Sequence, residues 1–124
     1  KTVLSSLIEI YSSETVRIIT QGFESIPWEA ISPDKQVNIY RALQEILVNM
    51  KKHSGATLVL LEFRQEKKNL TIRYKDNGVG FPEEAPLRQG GLANTGNRIE
   101  ALGGRITFET SVPQGVVILL TLPV

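Results

Sequence analysis

Glu45, Asn49 and Lys52 fall along one side of any helix that contains them. At about 100° per residue, Asn49 lies about 40° from Glu45 in one direction and Lys52 about 20° in the other. Arg41 lies on the Lys52 side and His53 at the margin beyond Asn49. Ile39, Leu43, Ile46, Leu47 and Met50 occupy the opposite side, so one face packs on a core while the other carries a carboxylate, an amide and cations. A carboxylate and an amide oxygen one turn apart can share a hard cation such as Mg²⁺, which prefers oxygen ligands. Lys52, one turn further, is placed to meet phosphates that such an ion bridges. For a charged stripe alone, a solvated helix face is the commoner explanation. Asn49 weakens that explanation, because Asn is a mediocre helix former.

A second chemical candidate is Asp76-Asn77-Gly78-Val79-Gly80-Phe81-Pro82, directly after a β-rich stretch. Asn-Gly is a strong hairpin signal, and a type I′ turn would account for it. That turn requires a strand to resume after Gly78, and Gly80-Phe81-Pro82-Glu83-Glu84 followed by Pro86 is a poor strand. Two glycines one residue apart let the backbone approach a flat ligand. An aspartate at the strand end can accept a hydrogen bond from an exocyclic amine such as adenine N6. Further on, Gln89-Gly90-Gly91-Leu92 enters a helical stretch, where free N–H groups and the positive helix end suit phosphate. A plain flexible connection explains Gly90-Gly91 equally well. The segment 82–89 reads as a mobile cover.

Composition narrows the field. At 124 residues the chain is one domain, and 41% hydrophobic with 22% charged is a soluble globular balance. A net charge of +1 gives no argument for nucleic acid or an anionic membrane. Without cysteine there is no disulfide, thiolate zinc site or cysteine nucleophile. Histidine occurs only at His53 and aspartate only at Asp34 and Asp76, so an H-E-x-x-H site cannot be built. No G-x-S-x-G elbow and no P-loop is present. Neither a signal peptide nor a membrane span is expected, since the longest apolar run is 116–120. The chain starts at Lys1, which we read as the start of a piece cut from a longer protein.

The elements that must position these residues follow from periodicity and punctuation. Val3, Leu4, Leu7, Ile8 and Tyr11 predict an amphipathic helix over 2–13, and the β-branched stretch predicts a strand over 15–21. A loop over 22–31 carries Trp28. Ser32-Pro33 starts a helix that meets no breaker until Ser54-Gly55, hence 33–52. Residues 57–65 and 70–75 read as a hairpin around 66–69. A helix over 92–102 stops at Gly103-Gly104, and strands over 105–110 and 116–122 close the chain. The order suggests an α/β sandwich, a mixed sheet with helices on one face.

Taken together, these residues resemble the ATP-binding catalytic domain of bacterial sensor histidine kinases, within the GHKL ATPase superfamily. Residues 40–54 look like its asparagine-containing N-box, and Asp76 to Gly80 matches its D-x-G-x-G box. Gly91-Leu92 with the run from Arg98 to Gly104 is similar to the second glycine box and its helix, and Gly115 to Pro123 to the closing strand. The Lys52-His53 ending looks most like the subfamily paired with LuxR-type response regulators.

The resemblance implies a two-layer α/β sandwich with a mainly antiparallel sheet, with ATP and Mg²⁺ between the N-box helix and a lid. It implies Asn49 on Mg²⁺, with Glu45 assisting in the metal shell or as base, and Lys52 and His53 toward phosphate. Asp76 would accept from adenine N6, Gly78 and Gly80 would make room for the base, and Gly91 and Leu92 would shape the phosphate side. The implied activity is transfer of the γ-phosphoryl group to a histidine on a separate dimerisation and phosphoacceptor domain, with a response regulator downstream. His53 lies inside the ATP box and is a poor phosphoacceptor. The expected setting is a cytoplasmic domain with no membrane contact of its own, in a protein anchored in the bacterial inner membrane. A serine kinase like the anti-sigma factors, or a non-catalytic module of the same fold, are the competing readings. Three departures stand out: Gln89 where the second glycine box has its first glycine, Val116 where the closing strand often has Thr, and Asn94-Thr95-Gly96 inside a helix.

Overall fold

The computed structural model describes residues 3–12, 16–51, 55–78, 91–109 and 115–124. Helix α1 (Val3–Tyr11) precedes strand β1 (Arg17–Gln21), and two single 3₁₀ turns (Phe23–Ser25, Trp28–Ala30) lead into helix α2 (Pro33–Asn49). The hairpin β2 (Leu58–Glu66) and β3 (Asn69–Asp76) follows, then helix α3 (Gly91–Ala101) and strands β4 (Arg105–Glu109) and β5 (Val116–Pro123). Sheet order is β1-β2-β3-β5-β4, parallel between β1 and β2 and antiparallel elsewhere. A parallel pair requires a crossover, and α2 lies in it.

Each boundary has a local cause. Ser32 accepts from the Lys35 N–H and Pro33 occupies the first helical position, so α2 starts where its orphan donors and fixed φ are satisfied. The helix expected to reach 52 is α-helical only to Asn49, and residues 50–51 widen into a π-type turn. α3 closes on a Schellman motif. Gly103 takes a positive φ and donates to Glu100 O, while Gly104 donates to Ile99 O at 2.9 Å. The hairpin turns on Lys67-Lys68, tighter than the expected 66–69, with Lys67 at a φ of 55°.

Alternation fixes which face is buried. Val59, Leu61 and Phe63 of β2, Leu70, Ile72 and Tyr74 of β3, and Ile118, Leu120 and Leu122 of β5 point into one core. Ile39, Ala42, Leu43, Ile46, Leu47 and Met50 of α2 fill it from the helical side. Gly96 does not break α3: a Cβ there would meet Ile106 Cγ2 at 3.3 Å, so its small size serves close packing of the helix on β4. On the other sheet face Arg73 bonds Glu62 across the β2–β3 register, a partly exposed pair worth under about 1 kcal/mol.

Candidate nucleotide site

Of the polar stripe expected on α2, the described residues include Arg41, Glu45 and Asn49, on the helix whose apolar side is buried. Glu45 and Asn49 are half-buried near the C-terminal end of the helix, while the apolar stripe is fully buried. Asn49 Nδ2 donates to Glu45 O at 2.9 Å. With the amide nitrogen turned back on its own helix, Oδ1 is the end that can meet a cation. Glu45 and Asn49 therefore supply a carboxylate and an amide oxygen, a donor set suited to Mg²⁺. No cluster of three carboxylates or imidazoles exists among the described residues, so such an ion would take its remaining oxygens from phosphate and water. Lys52 and His53 lie outside the described residues.

Asp76 closes β3 and is the one buried polar or charged side chain among the described residues, 3% exposed. Its Oδ2 accepts from Tyr74 Oη at 2.5 Å, and its Oδ1 accepts from the Gly78 N–H at 3.0 Å. Burial first, then the hydrogen bond to the Asp76 carboxylate and its charge, push the Tyr74 phenol far above the ordinary tyrosine range. The phenol keeps its proton and is the donor to Asp76 in this contact. Lys67 is the one non-glycine residue with a positive φ among the described residues, so Asn77 lacks the left-handed conformation that a type I′ turn needs at its first central position. Gly80 lies outside the described residues.

Asn77 ties this end of the sheet together. Its Oδ1 accepts from the N–H groups of Thr57 and Leu58 at 2.9 and 3.0 Å, its Nδ2 donates to Thr57 Oγ1, and its own N–H donates to Leu58 O. The chain leaving α2 is thereby fastened to the residue after Asp76. Gly115 completes the arrangement from the closing strand. At a φ of 90°, a Cβ there would sit 1.8 Å from Asp76 O. The next residue, Val116, pairs directly with Asp76.

α3 brings Gly91 and Leu92 toward the same end. Ile99 packs at Gly104 and Gly96 at Ile106, so the helix runs back along β4 with its N-terminus directed to the Glu109 end. Glu109 pairs with Val117, one residue from the Asp76 register. Gly91 is the first residue of α3 and Leu92 lies in its first turn. The C-terminal end of α2, the end of β3 and the start of α3 are thus directed to the same end of the sheet. The segment 79–90, read as the cover, lies outside the described residues.

Two residues of this site escaped sequence reasoning. Tyr74 carried a signal, since a residue two before Asp76 in a strand shares its face. Asn77 was legible only as a turn residue. A groove of about 580 Å³ lined by Pro33, Val37, Tyr40 and Arg41 lies on another flank of α2 and includes neither Glu45 nor Asn49.

Comparison with known proteins decides the family. The model described as histidine kinase-, DNA gyrase B- and HSP90-like ATPase matches residues 34–124. The chain belongs to this family. This ATPase domain is 33% identical over 112 residues to the sensor histidine kinase ComP of Bacillus subtilis (strain 168), covering 80% of this chain and 15% of ComP. It is 30% identical to the histidine-protein kinase/phosphatase UhpB of Salmonella typhimurium, covering 97% of this chain and 24% of UhpB. The chain thus spans about a quarter or less of the curated relatives it matches. The ATP binding domain of PrrB from Mycobacterium tuberculosis superposes with a TM-score of 0.68 at 24% identity, covering 95% of this chain and 91% of that one. The histidine kinase domain of the blue-light activated kinase of Erythrobacter litoralis reaches 0.76 at 17% identity, with 98% and 57% covered. Those structures bear out the mixed-sheet sandwich. No helix among the described residues is long and apolar enough to cross a membrane.

Proposed function

We propose that this ATPase domain binds Mg-ATP where α2, the end of β3 and the start of α3 converge, and donates the γ-phosphoryl group to a histidine on a separate helical phosphoacceptor domain. A response regulator is the next acceptor, and the whole protein is anchored at the bacterial inner membrane. The observation that carries the nucleotide reading is the buried Asp76 carboxylate, fixed by Tyr74 and Gly78 at the mouth of a strand end where Gly115 excludes any side chain. A carboxylate held this way recognises a donor edge, and adenine N6 is one.

Each residue has a role that its chemistry allows. Asp76 accepts from N6, and Gly78 leaves space beside the base. Asn49 Oδ1 and the Glu45 carboxylate hold Mg²⁺, which when bound neutralises charge on the phosphates. Lys52 and His53 reach phosphate, Gly80 borders the base, and Gly91 and Leu92 present α3 N–H groups to the phosphate side. The imidazole nitrogen of the partner domain attacks the γ-phosphorus while the bond to the bridging oxygen breaks, and ADP leaves with that electron pair. Positioning and charge neutralisation carry such a transfer, which suits a chain without a nucleophilic triad.

Calorimetric titration tests this. Wild type should bind ATP in a Mg²⁺-sensitive way, and Asp76→Ala should weaken it by about a hundredfold or more, the cost of losing a buried charge-assisted contact. Unchanged affinity in that variant removes the adenine assignment. Asn49→Ala should reduce phosphotransfer in the assembled protein more than nucleotide affinity. Equal loss of both would make Asn49 structural.

A further inference from the structure

A buried carboxylate that recognises a ligand must be aimed before the ligand arrives. Asp76 has two acceptor oxygens and rotates about its last side-chain bond unless both are engaged. The Gly78 N–H engages Oδ1 from the chain just beyond, at 3.0 Å, and the Tyr74 hydroxyl engages Oδ2 from two residues before, at 2.5 Å. Alternation places Tyr74 and Asp76 on the same face of β3, and Tyr74 is 1% exposed, so water does not compete for this contact. A hydroxyl donating to a carboxylate away from water fixes the direction in which that oxygen points.

The neighbouring strand explains why the hydroxyl comes from Tyr74. Val116 stands directly across from Asp76 in the β3–β5 register and is 1% exposed. Side chains paired across antiparallel strands share a face with Cβ atoms about 4.5–5.5 Å apart, so a hydroxyl at this position would reach the carboxylate. Valine has none to offer.

We propose that Tyr74 is a positioning residue for recognition of the base: its phenol aims the Asp76 carboxylate at the adenine amine, and supplies from the carboxylate's own strand the hydroxyl that Val116 does not supply from the next. The role rests on the reading of Asp76 as the acceptor for N6. Tyr74 itself need not touch ATP.

The test separates the two claims. Wild type and Tyr74→Phe are titrated with Mg-ATP and with the Mg²⁺ complex of purine riboside triphosphate, which carries hydrogen in place of the amine. Wild type should prefer ATP by about tenfold or more, and Y74F should lose about five- to tenfold on ATP but no more than about twofold on the analogue. A Y74F protein that keeps the full ATP preference, or weakens equally toward both nucleotides, overturns the proposal. A wild type without any preference removes the Asp76 reading, and the role of Tyr74 with it. Adding V116T to Y74F should return most of the preference. A double variant no better than Y74F would trace the loss to ring packing and also overturn the proposal.

Should Y74F not fold, the unsubstituted side chain answers. With tyrosine labelled at Cζ, and Tyr11→Phe and Tyr40→Phe used for assignment, the Tyr74 signal should move on adding ATP and stay put on adding the analogue. The same movement with both nucleotides counts against the proposal.

Discussion

The two ends of the sheet are built from different materials. At the hairpin end, the segment between β1 and α2 is locked by aromatic rings. Phe23, Trp28 and Phe63 meet at centroid distances of 5.2 to 6.0 Å, and Trp28 Nε1 donates to Phe23 O. Gln36 reaches back from α2 and donates to the carbonyls of Trp28 and Ile31 in the irregular segment. At the other end Asp76, buried beside Tyr74 and Val116, and the exposed Asn77 do the fastening through hydrogen bonds. The first end contributes stability that no ligand needs. The second holds a buried polar side chain in a fixed pose, which costs desolvation.

Substitutions at matched positions can break that contrast. The largest effect is expected for Gly115→Ala, which combines a positive φ with a clash against Asp76 O, and should cost about 4 kcal/mol or more and remove ATP binding. Denaturant unfolding with nucleotide titration measures both. Trp28→Ala should cost about 3–5 kcal/mol by the cavity left in the aromatic lock, with the nucleotide affinity of the folded protein unchanged. A loss of affinity there would show that the two ends are not separate. Asn77→Ala should cost about 1–3 kcal/mol and weaken ATP severalfold, because it unties the chain after α2 from Asp76. The smallest effect belongs to Lys67→Gly, which relieves a left-handed non-glycine residue and should raise stability by about 0.5–1 kcal/mol without touching binding.

What could be read in advance divides along similar lines. The course of the chain was legible because its signals are local: Ser32-Pro33 starts α2, Gly103-Gly104 ends α3, and a clean apolar stripe faces α2 inward. The stripe of Glu45 and Asn49 and the box from Asp76 were legible as residue types at a spacing, and both lie within residues 34–124, which the family model matches. Side-chain bonds between distant segments were not. Asn77 bonds residues twenty positions away, and nothing in Asn-Gly says that its amide will cross to Thr57. Gly96 looked like a defect in a helix because its reason, Ile106, lies on a strand yet to come. Likewise the α-helix stops short of 52 through a widened turn that no proline or glycine announces.

The clasp at Asn77 has a consequence for how the β2–β3 ribbon opens. A hairpin ordinarily unzips from the ends opposite its turn, where the last pairs are held by one neighbour only. Here that mouth is sewn shut by Asn77, while Lys67-Lys68 holds the other extremity. With fraying blocked at both extremities, the amide hydrogens of Thr57 and Leu58 should exchange with solvent as slowly as those in mid-strand. The ribbon then opens only when the whole sheet does, and the Asp76 carboxylate at its tip inherits the persistence of the core.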